Sequence, residues 1–457
     1  MVFAVVLLVL AGFAIAITIR PANIIALAIT VYAFEQWTQA NSAYFATHSR
    51  FMNVGFGALA LYALGCTLLR GRNPITPVTP VMWASLALYA YAAGSCLWSI
   101  ERGMSVFLFS YHLPYIVTFV GIVPLTIQDR DDLRQGFMMT LAFGTLVAIL
   151  LLAGTQVHAW GRTVQVADRA AVVDRAGRFV TRLDPLSVAS VGGQLVLVAV
   201  LLNFRGVGRV WQVLRWVLIL MSFALIYRSG SRGQLIATLL TVVILITFSR
   251  GTKSATSWIA AGVSTFMILG FAIWTFLGFA GQNARWDLDF MTKEYSSTRI
   301  QYCVRLLDFW VNSTPMNWWF GLGSSASYDS RINGIYCHVI VVEVLTELGF
   351  MGLIMFATFA AFVLRDMVRL YALTKDSDVD RGVAVAVSAL FIFSLIISLK
   401  QGSLLSNTGL FTSALMLSRH TAVTHLAYRR EKAVDMRRRW TAYCAHFHQA
   451  GQTSSRS

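Results

Sequence analysis

Apolar runs of about 18 to 25 residues, separated by short polar connections, recur along most of the chain, and each is long enough to cross a bilayer core as a helix. They lie near residues 2–19, 22–37, 51–69, 80–99, 105–127, 136–154, 186–204, 210–227, 233–249, 256–281, 338–364, 383–399 and 402–418. Within the runs apolar and polar positions do not alternate. A transmembrane β-strand would alternate apolar and polar residues over about ten positions. The pattern therefore predicts an all-α polytopic membrane protein with 12–13 transmembrane helices. The first run has no basic segment before it and Arg20-Pro21 after it, so it reads as a retained span rather than a cleaved signal peptide. Composition agrees: 57% apolar and 13% charged residues lie outside the range of a soluble globular chain.

Charge then orients the spans. Arg70 and Arg72, Arg130 and Arg134, Arg205 and Arg209, Arg250 and Lys253, and Arg365 and Arg369 fall in every second connection, which the positive-inside rule places in the cytoplasm. The segment from Arg419 carries eight cations against Glu431 and Asp435, and reads as a basic cytoplasmic tail, 419–457, that meets anionic headgroups. Residues 1–418 form a single transmembrane domain in this reading. The opposite face holds two long loops, 155–185 and 282–337, and the short turn "RSGSRG" with Arg228 and Arg232. Long loops cross a membrane largely regardless of charge, but a short turn with two arginines between apolar runs runs against the rule.

An arginine at the mouth of a helix bundle is costly without an anionic partner, and guanidinium offers planar bidentate donation to phosphate oxygens. An external diphosphate would suit Arg228 and Arg232, aided by the free N–H groups where a helix opens at Gly233. A tight polar turn capped by Ser229 and Ser231, with Arg228 reaching the interface, is the plainer reading. The second outer loop adds Arg299 and Arg305. Ile300, Val304, Leu307 and Phe309 keep helical spacing from Arg299 to Trp310, which predicts a helix on the outer surface. His338 falls where the next span begins. A helix N-terminus disfavours imidazolium and leaves a neutral ring available as a base near pH 7.

Ser231-Arg232-Gly233 opening an apolar helix, then Arg299, Pro315 and Gly321-Leu322-Gly323 in a large outer loop, then His338, Glu347 and Gly349, together resemble the O-antigen ligase and polymerase family of bacterial membrane glycosyltransferases. The stretch "LWSIERGMSVF", residues 97–107, resembles the Leu-Trp-Ser segment of polysaccharide polymerases of this kind. The chain departs from the family pattern at Val339, where Asn is common, and at Pro185-Leu186, where Pro-Asn is common. The resemblance implies a GT-C-like fold in the inner membrane with a large periplasmic loop before the span near 338. It implies inverting transfer of a glycan from an undecaprenyl-diphosphate carrier, with no metal or other cofactor. His338 would be the catalytic base, and Arg228, Arg232, Arg299 and Arg305 would hold the diphosphate. The acceptor would be a glycan, as for a polymerase, or lipid A-core, as for a ligase; the Leu-Trp-Ser segment favours the polymerase. Implied partners are the lipid-linked donor, membrane lipids, a flippase and a chain-length regulator, and no nucleic acid.

A transporter of an organic anion or lipid-linked glycan is the alternative, since twelve or so spans with arginines would suit one. "DRAGRF", residues 174–179, resembles a loop of major-facilitator transporters, but it follows the sixth span rather than the second. An assembly protein of the envelope would require neither His338 nor Arg232. Of five cysteines, Cys66 and Cys96 fall in spans, Cys444 in the tail, and Cys303 and Cys337 in the outer loop. The outer two are either bridged or two separate thiols, and spacing alone leaves both open.

Overall fold

The computed structural model describes residues 1–48, 50–155, 172–173, 179–180, 184–250 and 296–454. The expected span 256–281, the "DRAGRF" segment as a whole and most of the 155–185 loop lie outside these. Every described apolar run is a helix: α1 Val2–Ile19, α2 Ile24–Asn41, α3 Arg50–Leu69, α4 Pro80–Ser95, α5 Arg102–Leu125, α6 Asp132–Gly154, α7 Pro185–Leu201, α8 Arg209–Ser229 and α9 Arg232–Arg250. After the undescribed stretch come α10 Ser296–Val311, α11 Pro315–Phe320, α12 Ile340–Thr374, α13 Asp378–Ser398 and α14 Thr408–Ser454. A small antiparallel pair, Val172–Val173 with Phe179–Val180, is the one strand pairing among the described residues.

Eight of the described helices, α1, α3, α5, α6, α8, α9, α12 and α13, are long and apolar enough to cross a membrane. Apart from the short strand pair the regular structure of the described residues is helical, and by length and composition the chain is a multi-pass membrane protein. Of the thirteen expected runs, 256–281 lies outside the described residues, and α2, α4, α7 and α14 are helical but fall short of that length or apolarity. Two further boundaries differ from expectation. The span expected at 402–418 begins at Thr408 and runs on without a break to Ser454, so the basic tail continues the last helix. The span expected at 338–364 is two helices meeting at a kink at Gly349, whose φ of 70° is non-helical.

Burial sorts the helices. Only 22% of the α1 window is buried against 83% of α13, so α1 lies at the rim and α13 at the centre. Around α13 pack α7, α9, α12 and α14, while α2 packs on α6 and α7. In the absence of a hydrophobic drive between helices within lipid, close approach of backbones through small residues supplies much of the packing. On α7 a Cβ at Gly193 would lie 2.5 Å from Thr238 Oγ1 of α9 and 2.9 Å from the Phe393 ring of α13.

Polar contacts collect at two opposite ends. At one, Arg20 pairs with Asp132 at 3.2 Å, Arg72 with Asp129 at 2.6 Å, Arg130 with Asp380, and Arg205 and Arg381 with Asp378. Buried Arg419 there donates to the carbonyls of Pro74, Ile75, Thr76, Pro77 and Ile127. This is the end of the basic connections. The connections that carry the arginine turn, the "GLG" loop and His338 meet at the other end.

Candidate functional site

The arginine turn is built first from its own backbone. Gly230 closes α8 in the left-handed region, φ 67°, and Ser229 Oγ donates to the Ile226 carbonyl. Ser231 Oγ donates to the Pro185 carbonyl at 3.1 Å, joining the turn to the start of α7. Arg228 donates to the carbonyls of Leu152 and Thr155, at 3.0 and 3.1 Å, where the C-terminal end of α6 leaves acceptors without intrahelical donors. The plainer reading expected Ser231 as a cap and Arg228 reaching the interface; instead Ser231 ties the turn to α7 and Arg228 binds the end of α6. Arg232 does otherwise: it is the first residue of α9, 8% exposed.

Next to Arg232 stands a cation that sequence reading did not single out. Lys400, in the connection between α13 and α14, lays its ammonium on the first turn of α9: a Cβ at Gly233 would come within 2.0 Å of Lys400 Nζ. Glycine at 233 is thus what admits the lysine. Lys400 is exposed as a residue, yet desolvation first, then the charges of Arg299 and Arg232, push its pKa below the usual lysine value. Arg299, on the first turns of α10, donates to the Lys400 carbonyl at 3.0 Å. Three cations from three separate elements therefore meet at one helix N-terminus, whose own dipole adds positive potential. Arg305, expected with them, lies on the exposed face of α10.

His338 borders this cluster. It is half-buried, with its ring centroid 4.0 Å from that of Tyr336 and 6.1 Å from that of Tyr302 on α10. Its φ of 70° is one of two positive values at non-glycine positions among the described residues. Its Nδ1 is buried without a hydrogen-bond partner. Burial, then the charge of Arg299, lowers its pKa from the usual value to about 4. The ring is therefore neutral at pH 7. The helix terminus was the expected cause of this, whereas desolvation and a neighbouring guanidinium are the causes the geometry gives.

The expected surface helix is α10, and its buried side joins Cys303, Leu306 and Trp310 to Leu322, Ile332 and Cys337 in a small core of its own. Beneath it the "GLG" segment plugs the gap in α12. Leu322 N–H and Gly323 N–H donate to the carbonyls of Thr346 and Glu347, both at 2.9 Å. A Cβ at Gly321 would lie 2.1 Å from the Glu347 carbonyl oxygen, and one at Gly349 would lie 2.4 Å from that of Trp319. The Glu347 carboxylate accepts from Ser325 N–H, Ser327 N–H and Ser327 Oγ, at 2.6, 3.1 and 2.7 Å. The Leu-Trp-Ser segment closes the knot: Ser99 Oγ donates to the Ser324 carbonyl at 2.8 Å, and Ser324 N–H donates to Ser95 Oγ at 3.0 Å. One turn above Glu347, Glu343 accepts from Leu404 N–H at 2.8 Å, which fixes the connection that bears Lys400. Residues far apart in sequence thus form one scaffold under the cations and His338.

A cavity of about 400 Å³ opens beside the cluster. Tyr336 and Gln401 stand on its wall, and Asp184, Gln194, Asn407 and Thr412 give it a polar lining among apolar positions of α2, α7 and α13. Gln234 Nε2 donates to Gln401 Oε1 at 3.4 Å, joining this wall to the first turn of α9. Among the described residues no three His, Cys, Asp or Glu side chains gather as metal ligands would.

Fold and site together define a multi-pass helical membrane protein with a concentrated cationic mouth at one end. No family model matches the chain, and no curated protein is significantly similar to it.

Proposed function

We propose that this chain is a GT-C-like membrane glycosyltransferase of the O-antigen ligase and polymerase type. It transfers a glycan from an undecaprenyl-diphosphate carrier to an acceptor hydroxyl on the periplasmic side of the inner membrane. The observation that carries this reading is the meeting of Arg232, Arg299 and Lys400 beside a neutral His338. Preorganised cations stabilise a departing diphosphate without reorganising at the moment of reaction. His338 takes the proton of the acceptor hydroxyl as that oxygen attacks the anomeric carbon, and the carbon–oxygen bond to the diphosphate breaks with inversion. The polar cavity beside Tyr336 and Gln401 has room for a hydroxyl-rich group next to the cations. The polymerase is favoured over the ligase by the Leu-Trp-Ser segment, which here helps hold the "GLG" loop.

Lysine keeps the charge of Arg232 but not its planar fork. Arg232→Lys is therefore expected to lose most transfer while inserting at wild-type levels, measured as polymer or ligated product per mole of membrane protein. Full transfer by that variant would end the diphosphate assignment. A transporter predicts a different pattern, in which donor reaches the far side normally or not at all and its consumption there does not depend on His338.

The acid side of the pH profile tests the base. With a pKa of about 4 in the free protein, His338 stays deprotonated through pH 5 to 7, and kcat/KM falls only as pH drops through about 4. Bound diphosphate offsets the charge of Arg299, so the protonated ring is less disfavoured and the acid limb of kcat moves to higher pH than that of kcat/KM. Coincident limbs near 6.5 would remove the buried base from the mechanism.

A further inference from the structure

Cys303 and Cys337 sit 34 positions apart in sequence, on different elements, with their sulfur atoms 3.3 Å from one another. Sequence spacing could not decide between a bridge and two separate thiols; the fold brings the two side chains face to face inside the small core that α10 makes with the loop before α12. We infer that Cys303 and Cys337 form a disulfide that clamps the helix bearing Arg299 to the residue preceding His338. The inference rests on the proposed function only in placing this end of the bundle outside the cytoplasm, where disulfides persist.

The chemistry balances with a dithiol–disulfide oxidant of the cell envelope. Cys303, the more exposed of the two, attacks the oxidant's disulfide as a thiolate and forms a mixed disulfide. Cys337 then attacks the Cys303 sulfur, the S–S bond within the chain forms, and the oxidant leaves as its dithiol. Two protons and two electrons pass from the chain to the oxidant. Cys337 is fully buried, and burial raises its thiol pKa, so the second attack is the slow one and the closed bridge is shielded from reductants.

The position gives the bridge its consequence. Arg299 and Cys303 are one helical turn apart on α10, and Cys337 adjoins His338, whose backbone holds a left-handed conformation. Asn333 Nδ2 donates to the Tyr302 carbonyl at 2.9 Å across the same seam. Without the covalent link only that hydrogen bond and the small apolar core would oppose slippage between cation and base. Misplacement of reacting groups by about 1 Å costs on the order of 100-fold in rate, so even partial slippage is measurable.

The test uses the full-length protein in native membranes. Free thiols are blocked with a maleimide under denaturing conditions, the protein is reduced, and newly exposed thiols are tagged with a mass label. Two added tags per chain, seen only after reduction and absent from both Cys303→Ser and Cys337→Ser, are the expected result, with the 303–337 linked peptide found by mass spectrometry. No reduction-dependent tags, tags in fewer than half of the molecules, or a link between chains overturns the bridge. Reduction of the wild type and each serine substitution should lower transfer by the same factor, about tenfold, with no additive effect when combined. Unchanged transfer on reduction overturns the clamp. His338 variants that lose transfer while the thiols tag equally would leave the glycosyltransferase reading standing without the bridge.

Discussion

His338→Asn is expected to abolish detectable transfer and leave lipid-linked donor accumulating in the membrane. Asn is the informative replacement because it tolerates the left-handed backbone that this position adopts, at φ 70°, and so removes the base without straining the loop. Loss of a positioned general base costs about 100- to 10,000-fold. His338→Ala removes the same base and adds backbone strain, so the two variants should be equally inactive while only Ala also lowers thermal stability. Radiolabelled donor in isolated membranes gives the measurement. Long-chain product at a normal rate from the Asn variant would remove His338 from the chemistry.

Gly323→Ala should unmake the scaffold rather than the chemistry. A Cβ there would lie 2.2 Å from Ser99 Cα, a backbone contact that cannot move aside, and φ is 91°. Overpacking and a disallowed backbone together destabilise by on the order of 3 kcal/mol. Gly334→Ala is the matched control, with φ 66° and nothing within 4 Å of the added methyl, and should cost about 1 kcal/mol. A detergent-solubilised Tm several degrees lower for Gly323→Ala than for Gly334→Ala, with loss of transfer confined to the former, is the expected pattern. Equal shifts would mean that strain, not the contact with the Leu-Trp-Ser segment, sets the requirement for glycine.

How far the sequence carried differs between fold and site, for physical reasons. Apolar runs of span length leave little choice but helix, since unpaired backbone groups in lipid are costly. The helix at Arg299 was legible because its apolar spacing is that of an amphipathic surface element. The break at Gly349 was not, because the apolar run continues through it, and only the carbonyls of Trp319 and Glu347 show what the gap receives. Lys400 was hidden by its own neighbourhood: the connection "SLKQGSLLS" is short, and the lysine gains its neighbours from α9 and α10, far away in sequence. One signal was there. A lone cation in a short connection on the face where the topology rule prefers few is the same anomaly that drew attention to Arg232. Arg228 and Arg232, four residues apart in one turn, looked alike in sequence, and only the end of α6 tells them apart.

The bond between Ser99 and Ser324 spans 225 residues. At ribosomal rates of about 5 to 20 residues per second, Ser324 is made roughly 11 to 45 s after its partner. Throughout that interval the first spans are already in the bilayer, and the carbonyl that Ser99 will hold does not yet exist. The mouth of the protein is therefore completed last, by the chain's later third closing over its earlier part. A nascent chain that has reached residue 298 has its arginine turn made, with Arg299, His338 and Lys400 still to come. Under the proposed function the diphosphate site is therefore complete only after Lys400 is made, and the order of synthesis itself guards against premature capture of the donor lipid.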